Sequence, residues 1–439
     1  MPILTKAAQP SQGQRLPNEL LLHTIRFLRP TGSEILPSSH ETTKILLALM
    51  LVCRTANEAA STIFARHCIH LDSEDRTLRF ANCLSLVDSH LMSGHSPPFA
   101  GITAIMLESF MEYTEELEGH LAVVKLDDSR MASDSDHDDD IADRSGESDH
   151  GGEEKNDEQD PREDVPNHDK DEDEDEDEDE DDYLLFRPHP EINDLPVATA
   201  VHDIFIAVAP TLQRLIINIP LRSLYPENDE FGVKTILRRG FKSLVNLEEF
   251  VSIKDELFVT TDPHRDIPED DVWATCWPKI RRLYLYNPMI DEIFWDNVKR
   301  CPQLSRIMLG RPDGNHHIEP GPGDIKRGWI TALAGHNATT NVYDGGIRPL
   351  TYVNVDMTGI QPSVLGFRHD WRTLDPEECI RVRLADIPPE AWIVDLGIRD
   401  GAELCPKDTV RIWVRKHALA GTLWDEDAIG AYDPLAGIE

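Results

Sequence analysis

No two cysteines in this chain are spaced as a zinc ribbon or a redox pair. The seven present, Cys53, Cys68, Cys83, Cys276, Cys301, Cys379 and Cys405, are odd in number and scattered over 439 residues. That usage argues against a disulfide framework and suits a reducing compartment. Long apolar runs are missing as well: the longest, Ile45 to Cys53, is 9 residues, well short of the roughly 20 that cross a bilayer. Lys6 has no apolar stretch behind it, so the start does not read as a secretory signal. These absences predict an intracellular protein, cytoplasmic or nuclear, without membrane attachment. Basic residues are scarce, 43 Lys and Arg against 81 Asp and Glu, which disfavours direct nucleic-acid binding through phosphate contacts. There is no Gly-rich phosphate loop, no Gly-x-Ser-x-Gly elbow and no His-Glu-x-x-His. The expectation is a protein that is not an enzyme, with no cofactor, no metal and no catalytic residue.

The net charge of -38 is concentrated in one place. Residues 127–182 hold 30 Asp or Glu against 5 Lys or Arg, a net -25, and the rest of the chain carries -13. Asp171 to Asp182 are acidic without interruption. Like charges at that density repel and offer nothing to bury, so 127–182 reads as a disordered acidic insertion. It is a solvated spacer, or else a contact for basic proteins, which a dense polyanion attracts at long range.

Outside that segment the chain patterns as α/β. Residues 1–14 are a polar, disordered lead-in. Pro17 and Glu19 open a helix carrying Leu20, Leu21, Ile25 and Leu28 at three- and four-residue spacing. Residues 30–43 form a loop that resembles an insertion. A second helix through Ile45, Leu47, Leu49 and Leu51 is apolar on most sides, and a third runs from about Arg54 to Ala65. Downstream, one pattern recurs: an apolar residue, two others, an apolar residue, one other, an apolar residue. It stands at Ile102, Ile105, Leu107; at Leu212, Leu215, Ile217; at Ile280, Leu283, Leu285; and at Leu304, Ile307, Leu309, while Leu247 and Phe250 begin a copy that breaks at Ser252. Helices are expected between copies, at Val197 to Val208, Val233 to Phe241 and Ile290 to Lys299. A short strand plus a helix recurring every 24 to 35 residues reads as an irregular leucine-rich-repeat-like solenoid. It is predicted to start with repeat-like units at 67–126 and to resume over 183–310. Residues 311–439 read as a small β-rich cap, with strands at Thr351 to Met357, Cys379 to Leu384, Ala391 to Leu396 and Thr409 to Val414.

The first three helices, residues 15–66, resemble the F-box as it occurs in many fungal proteins. The resemblance lies in Leu16-Pro17-Asn18-Glu19-Leu20-Leu21, in Leu47-Ala48-Leu49-Met50-Leu51-Val52-Cys53-Arg54, and in Ala59-Ala60-Ser61-Thr62-Ile63-Phe64-Ala65-Arg66-His67. It implies docking to the Skp adaptor of a cullin-RING ubiquitin ligase through Leu16, Pro17, Leu20, Ile25, Leu28, Leu47, Leu51, Val52 and Cys53. The aromatic residue often found two positions after the Arg is here Ala56, so one docking anchor of the family is missing. The implied function is that of a substrate-recognition adaptor in the ubiquitin-proteasome pathway, with an unidentified target protein held on the repeat surface. The alternative is a non-ligase interaction scaffold whose helices cap the solenoid and whose acidic loop binds basic partners. Exposure of Leu16, Pro17 and Val52 favours the first, burial the second. His67, Cys68 and His70 do not form a metal site on this reading: on a strand His67 and Cys68 would face opposite ways, and no second ligand pair has suitable spacing.

Overall fold

The computed structural model describes residues 17–90, 101–110, 192–261, 269–312, 325–334, 349–356, 371, 373–387 and 406–426. The chain divides into two units, residues 1–114 with 189–439 and residues 115–188, and every described residue belongs to the first. The lead-in at 1–14 and the acidic insertion at 127–182 lie outside the described residues.

Among the described residues the fold is mixed α/β, with ten α-helices and one sheet of eight parallel strands. Three helices come first: α1 (Asn18–Phe27), α2 (Glu41–Met50) and α3 (Arg54–His67). Strands and helices then alternate as β1 (His70–Leu71), α4 (Glu74–His90), β2 (Ala104–Leu107), α5 (Leu195–Val208), β3 (Arg214–Ile217), α6 (Val233–Lys242) and β4 (Glu249–Ser252). They continue as α7 (Val272–Cys276), β5 (Arg282–Tyr286), α8 (Glu292–Arg300), β6 (Arg306–Gly310), α9 (Ile325–Ala334), β7 (Leu350–Asp356) and β8 (Ile380–Asp386), and α10 (Pro406–Ala420) follows the last strand. Each strand pairs with the next in sequence, so the spatial order is β1 through β8 without a crossover. No described helix is long and apolar enough to cross a membrane.

The recurring apolar pattern fixes this arrangement. Leu212, Leu215 and Ile217 are fully buried, as are Leu247, Phe250, Ile280, Leu283 and Ile307. They point to one face of the sheet and pack against Val201 and Phe205 of α5, Leu237 and Phe241 of α6, Trp273 of α7, Trp295 of α8 and Trp329 of α9. Side-chain oxygens start the helices at the required points: Asp194 accepts from the Val197 N–H at 2.9 Å, and Asp291 from that of Phe294 at 2.8 Å. Burying side chains of this size contributes roughly 1.5–3 kcal/mol each, and the indole of Trp277 also donates to the Phe241 carbonyl across the layer at 2.8 Å.

The alternate residues of the strands are apolar too. Met106, Ile216, Val251, Tyr284, Met308 and Val353 form a stripe on the opposite face, beneath Val410, Trp413, Val414 and Ala418 of α10. A parallel sheet covered on both sides needs apolar strands on both sides.

Three expectations from sequence are corrected. Strand β4 runs through Ser252, which pairs with Ile217 and is fully buried, so that copy is not broken: one small hydroxyl residue fits the packed layer. Residues 409–414 belong to α10 and not to a strand, because Val410, Trp413, Val414 and Ala418 recur at helical spacing. The strands expected at 351–357 and 379–384 are present as β7 and β8, but they extend the main sheet in the same parallel order instead of forming a separate β-rich cap. The strand expected at 391–396 lies outside the described residues.

Gly310 closes β6 where the Tyr284 ring crosses it. A Cβ there would collide with the Tyr284 hydroxyl and lie 3.0 Å from Tyr286 Cδ2. The Tyr284 hydroxyl is itself buried without a hydrogen-bond partner. Gly310→Ala is expected to cost about 1–3 kcal/mol in urea unfolding. Tyr284→Phe alone should be neutral or mildly stabilising, since it removes an orphaned polar atom, and added to Gly310→Ala it should restore part of the loss.

Candidate functional site

The three N-terminal helices enclose a small core of their own. Ile25 of α1, Leu46 of α2, and Ala56, Ala60 and Ile63 of α3 meet there with Leu36 and Cys68. Ala56 and Ala60 are fully buried, and their small side chains let α3 lie close to its neighbours. Helix α3 begins where the Cys53 sulfur accepts from the Ala56 N–H at 3.5 Å, and the Asn57 amide donates to the Met50 carbonyl at 2.8 Å, tying the α2–α3 corner.

What this core leaves outside is apolar. On α1, Leu20 is 53% and Phe27 77% exposed; on α2 and the corner after it, Ile45 is 43%, Leu47 45%, Leu51 89% and Val52 64% exposed. Leu20 and Phe27 are seven residues apart on α1 and share a helix face, while Leu51 and Val52 lie in the turn that follows α2. Side chains of this kind cost free energy in water unless something covers them.

Of the nine residues expected to meet a partner, Pro17, Leu20, Leu47, Leu51, Val52 and Cys53 are exposed. Leu28 is half-buried against the three-helix core, and Leu16 lies outside the described residues. Ile25 is sealed inside that core, so it holds the helices together and is not available to a partner. Phe27 and Ile45 were not among the expected contacts, although Phe27 lies two helical turns after Leu20 on the same face. The missing aromatic at position 56 also takes a different meaning. Position 56 faces the interior, where a ring would force α3 away.

The loop of residues 30–40 fastens these helices to the sheet and to α10. Ile35 joins the apolar layer under α10 and its N–H donates to the Leu419 carbonyl at 2.8 Å; the Leu36 N–H donates to the His67 carbonyl at 2.6 Å. Arg214, at the start of β3, donates to the carbonyls of Ser33 and Ala418 and, through Nε, to Glu249 at 2.6 Å. Glu249 also faces Arg282 Nη2 at 2.6 Å, so one buried carboxylate sits between two guanidinium groups. Gly421 ends α10 with φ of 73°; its N–H donates to the Ala418 carbonyl and that of Thr422 to His417, a Schellman ending. A Cβ on Gly421 would strike Ser33.

A second buried charge pins the middle of α10. Glu108, just past β2, accepts from Arg415 Nε at 2.7 Å and Nη2 at 2.8 Å and from the Asn218 amide at 3.0 Å, and lies 2.5 Å from His70 Nε2. Burial pushes this carboxyl up, but the hydrogen bonds from Arg415 and His70 outweigh it and bring it down to about 2. Arg411, one turn earlier, stacks 4.6 Å over the Tyr286 ring and donates to the Lys254 carbonyl at 3.4 Å. His67 and Cys68 close α3 as its last residue and its cap instead of standing on a strand, and His67 Nδ1 lies 3.1 Å from the Glu34 carbonyl. Among the described residues no group of three His, Cys, Asp or Glu side chains is arranged to hold a metal ion.

A cavity of about 940 Å³ opens beside the end of α10, lined by Arg281, Arg282, Arg306, His417, Trp424 and Glu426 among others. Its cations face acids: Arg282 meets Glu249, Arg306 meets Glu426 at 3.7 Å and Arg281 meets Glu248 at 3.9 Å. The charge there is matched locally and leaves no strong field for an anion.

Comparison of the chain with protein-family models, with curated proteins and with solved structures gives no match.

Arg415→Ala should cost about 3 kcal/mol at pH 7, because it strips a buried carboxylate of its main partner. The wild-type Glu108 contribution is complete above the ordinary carboxyl range and is lost as pH falls toward about 2. The gap between wild type and variant in urea unfolding is therefore expected to narrow between pH 7 and pH 4, as the less well paired carboxyl of the variant takes up its proton first. A gap that stays constant or widens contradicts the pairing of Arg415 with Glu108.

Proposed function

We propose that this protein is a non-catalytic, substrate-recognition adaptor of a Skp-cullin-F-box ubiquitin ligase. The observation that carries the proposal is the apolar surface of the N-terminal helices: Leu20, Phe27, Ile45, Leu47, Leu51 and Val52 stay exposed while Ile25, Leu46, Ala56 and Ala60 make the core. Helices that served only to cap the sheet would spend those residues inward. Capping does occur: Ala65 and Ile69 enter the main core, and Phe64 packs against both clusters. The outward residues are left over from it. Exposure of Pro17 and Val52 is the outcome that favours an adaptor over a scaffold.

The repeated strand and helix supports the leucine-rich-repeat-like part of the reading. Strictly sequential parallel pairing, with connecting helices packed on one face and β1 and β8 at opposite ends of the sheet, is how a solenoid of such units grows. An adaptor of this kind accelerates ubiquitin transfer by holding a target lysine near the conjugating enzyme, which is proximity and needs no reactive side chain. With α10 in place, it and the 30–40 loop hold the docking helices against the sheet by several hydrogen bonds.

A pull-down of tagged full-length protein, probed for the Skp adaptor and cullin, tests the proposal beside a Leu51→Lys, Val52→Lys variant. Both positions are exposed, so the variant should fold as the wild type does. If each side chain contributes roughly 1.5 kcal/mol on burial, losing both weakens docking on the order of 100-fold, and capture should disappear. A wild type that captures neither protein, or a folded variant that captures both equally well, would overturn the assignment.

A further inference from the structure

We propose that the sheet face opposite the connecting helices is a groove for an amphipathic helix, occupied in cis by residues 406–426. A partner helix of the same pattern, with two arginines four residues apart beside an aromatic and aliphatic stripe, would exchange with it. As the target site of the adaptor this use rests on the ligase reading, whereas the groove itself does not.

The groove's floor is the stripe Met106, Ile216, Val251, Tyr284, Met308 and Val353, and its occupant presents Val410, Trp413, Val414 and Ala418 on one side of a helix. This is the helix-in-groove mode of recognition, in which anchors at i, i+3, i+4 and i+8 enter an apolar trough. Polar groups set the register. Arg415 reaches Glu108 and Arg411 lies over Tyr286, so the groove reads two cations spaced one turn apart. The Arg415 side chain is 31% exposed while the Glu108 it meets is 2% exposed. The anchor is thus a buried acid approached from the solvent side, which an incoming arginine can reach.

Topology makes this helix exchangeable where the others are not. Helices α5 through α9 each connect strands that are paired in the sheet, so removing one pulls on the ladder. Helix α10 follows β8, and its departure unpairs no described strand. The cis fit is also incomplete: Tyr284 Oη and His70 Nδ1 are buried at this layer without hydrogen-bond partners. Tyr284 is fully buried and His70 is 5% exposed, and a ligand that offers them partners binds better than the segment now in place.

Hydrogen exchange of the full-length wild-type protein gives the first test. Amides of residues 409–420 are expected to exchange at least 10-fold faster than those of β3 to β6, through an opening that leaves the sheet protected. Exchange of both sets together, only by global unfolding, would make α10 a permanent part of the fold and end the proposal. The second test is direct binding of a fluorescein-labelled peptide of residues 404–426 to the full chain. A Trp413→Ala, Arg415→Ala variant, with its cis helix weakened, should bind the peptide at least 10-fold more tightly than wild type does. Equal or absent binding to a variant that keeps its circular dichroism would refute exchange. Should the variant fail to fold, the wild-type exchange data decide alone.

Discussion

The packing of α10 on the stripe Met106, Ile216, Val251, Tyr284, Met308 and Val353 is the contact on which the other parts depend. Eight parallel strands that are apolar on both faces bury both only when something packs on each side, and on this side the cover is α10. The connecting helices cover only the face to which Leu215, Phe250, Leu283 and Ile307 point. Covering the other face falls to a segment that follows the last strand. Once α10 is there, its C-terminal end supplies the carbonyls of Ala418 and Leu419 to Arg214 and to the Ile35 N–H, and through them the loop before α2 is held. The position of the N-terminal helices therefore follows from how the far side of the sheet is covered.

Charge placement follows the same constraint. Glu249 and Glu108 are both buried at this layer, and each has guanidinium partners: Arg214 and Arg282 for the first, Arg415 for the second. Buried pairs of this sort seldom add net stability, but removing one partner is costly, so they select one arrangement over slipped alternatives. A one-turn shift that carried Leu419 to the place of Arg415 would leave Glu108 without its guanidinium.

Periodicity carried most of the fold. Spacing of apolar residues located α1, α3, α5, α6 and α8 within two residues at each end and α2 without its first turn, and the recurring triplets located β2, β3, β5 and β6. The short β1 and helix α4 were not anticipated. The role of the far face was missed although it was written in the triplets: the residue between the last two apolar positions is Met106, Ile216, Tyr284 or Met308, where a sheet with one wet face would place polar side chains. That pattern predicts a cover, and Val410 to Ala418 is the amphipathic segment able to provide it. The strand read at 409–414 shows why it went unseen, because six residues of mixed apolar character fit either period. At the candidate site, the sequence motif identified the exposed corner at Leu51 and Val52, but could not tell Ile25, which points inward, from Leu20, which points out. Burial decides that, and burial depends on how three helices pack.

The adaptor role requires the apolar surface of α1 and α2 to be a docking surface. Calorimetric titration of the purified full-length chain with a purified Skp adaptor at several temperatures tests it most directly. Binding of one adaptor per chain, with a negative heat-capacity change from burial of apolar area, is the predicted result. No binding at micromolar concentrations at any temperature would contradict it, and so would binding whose heat capacity does not change.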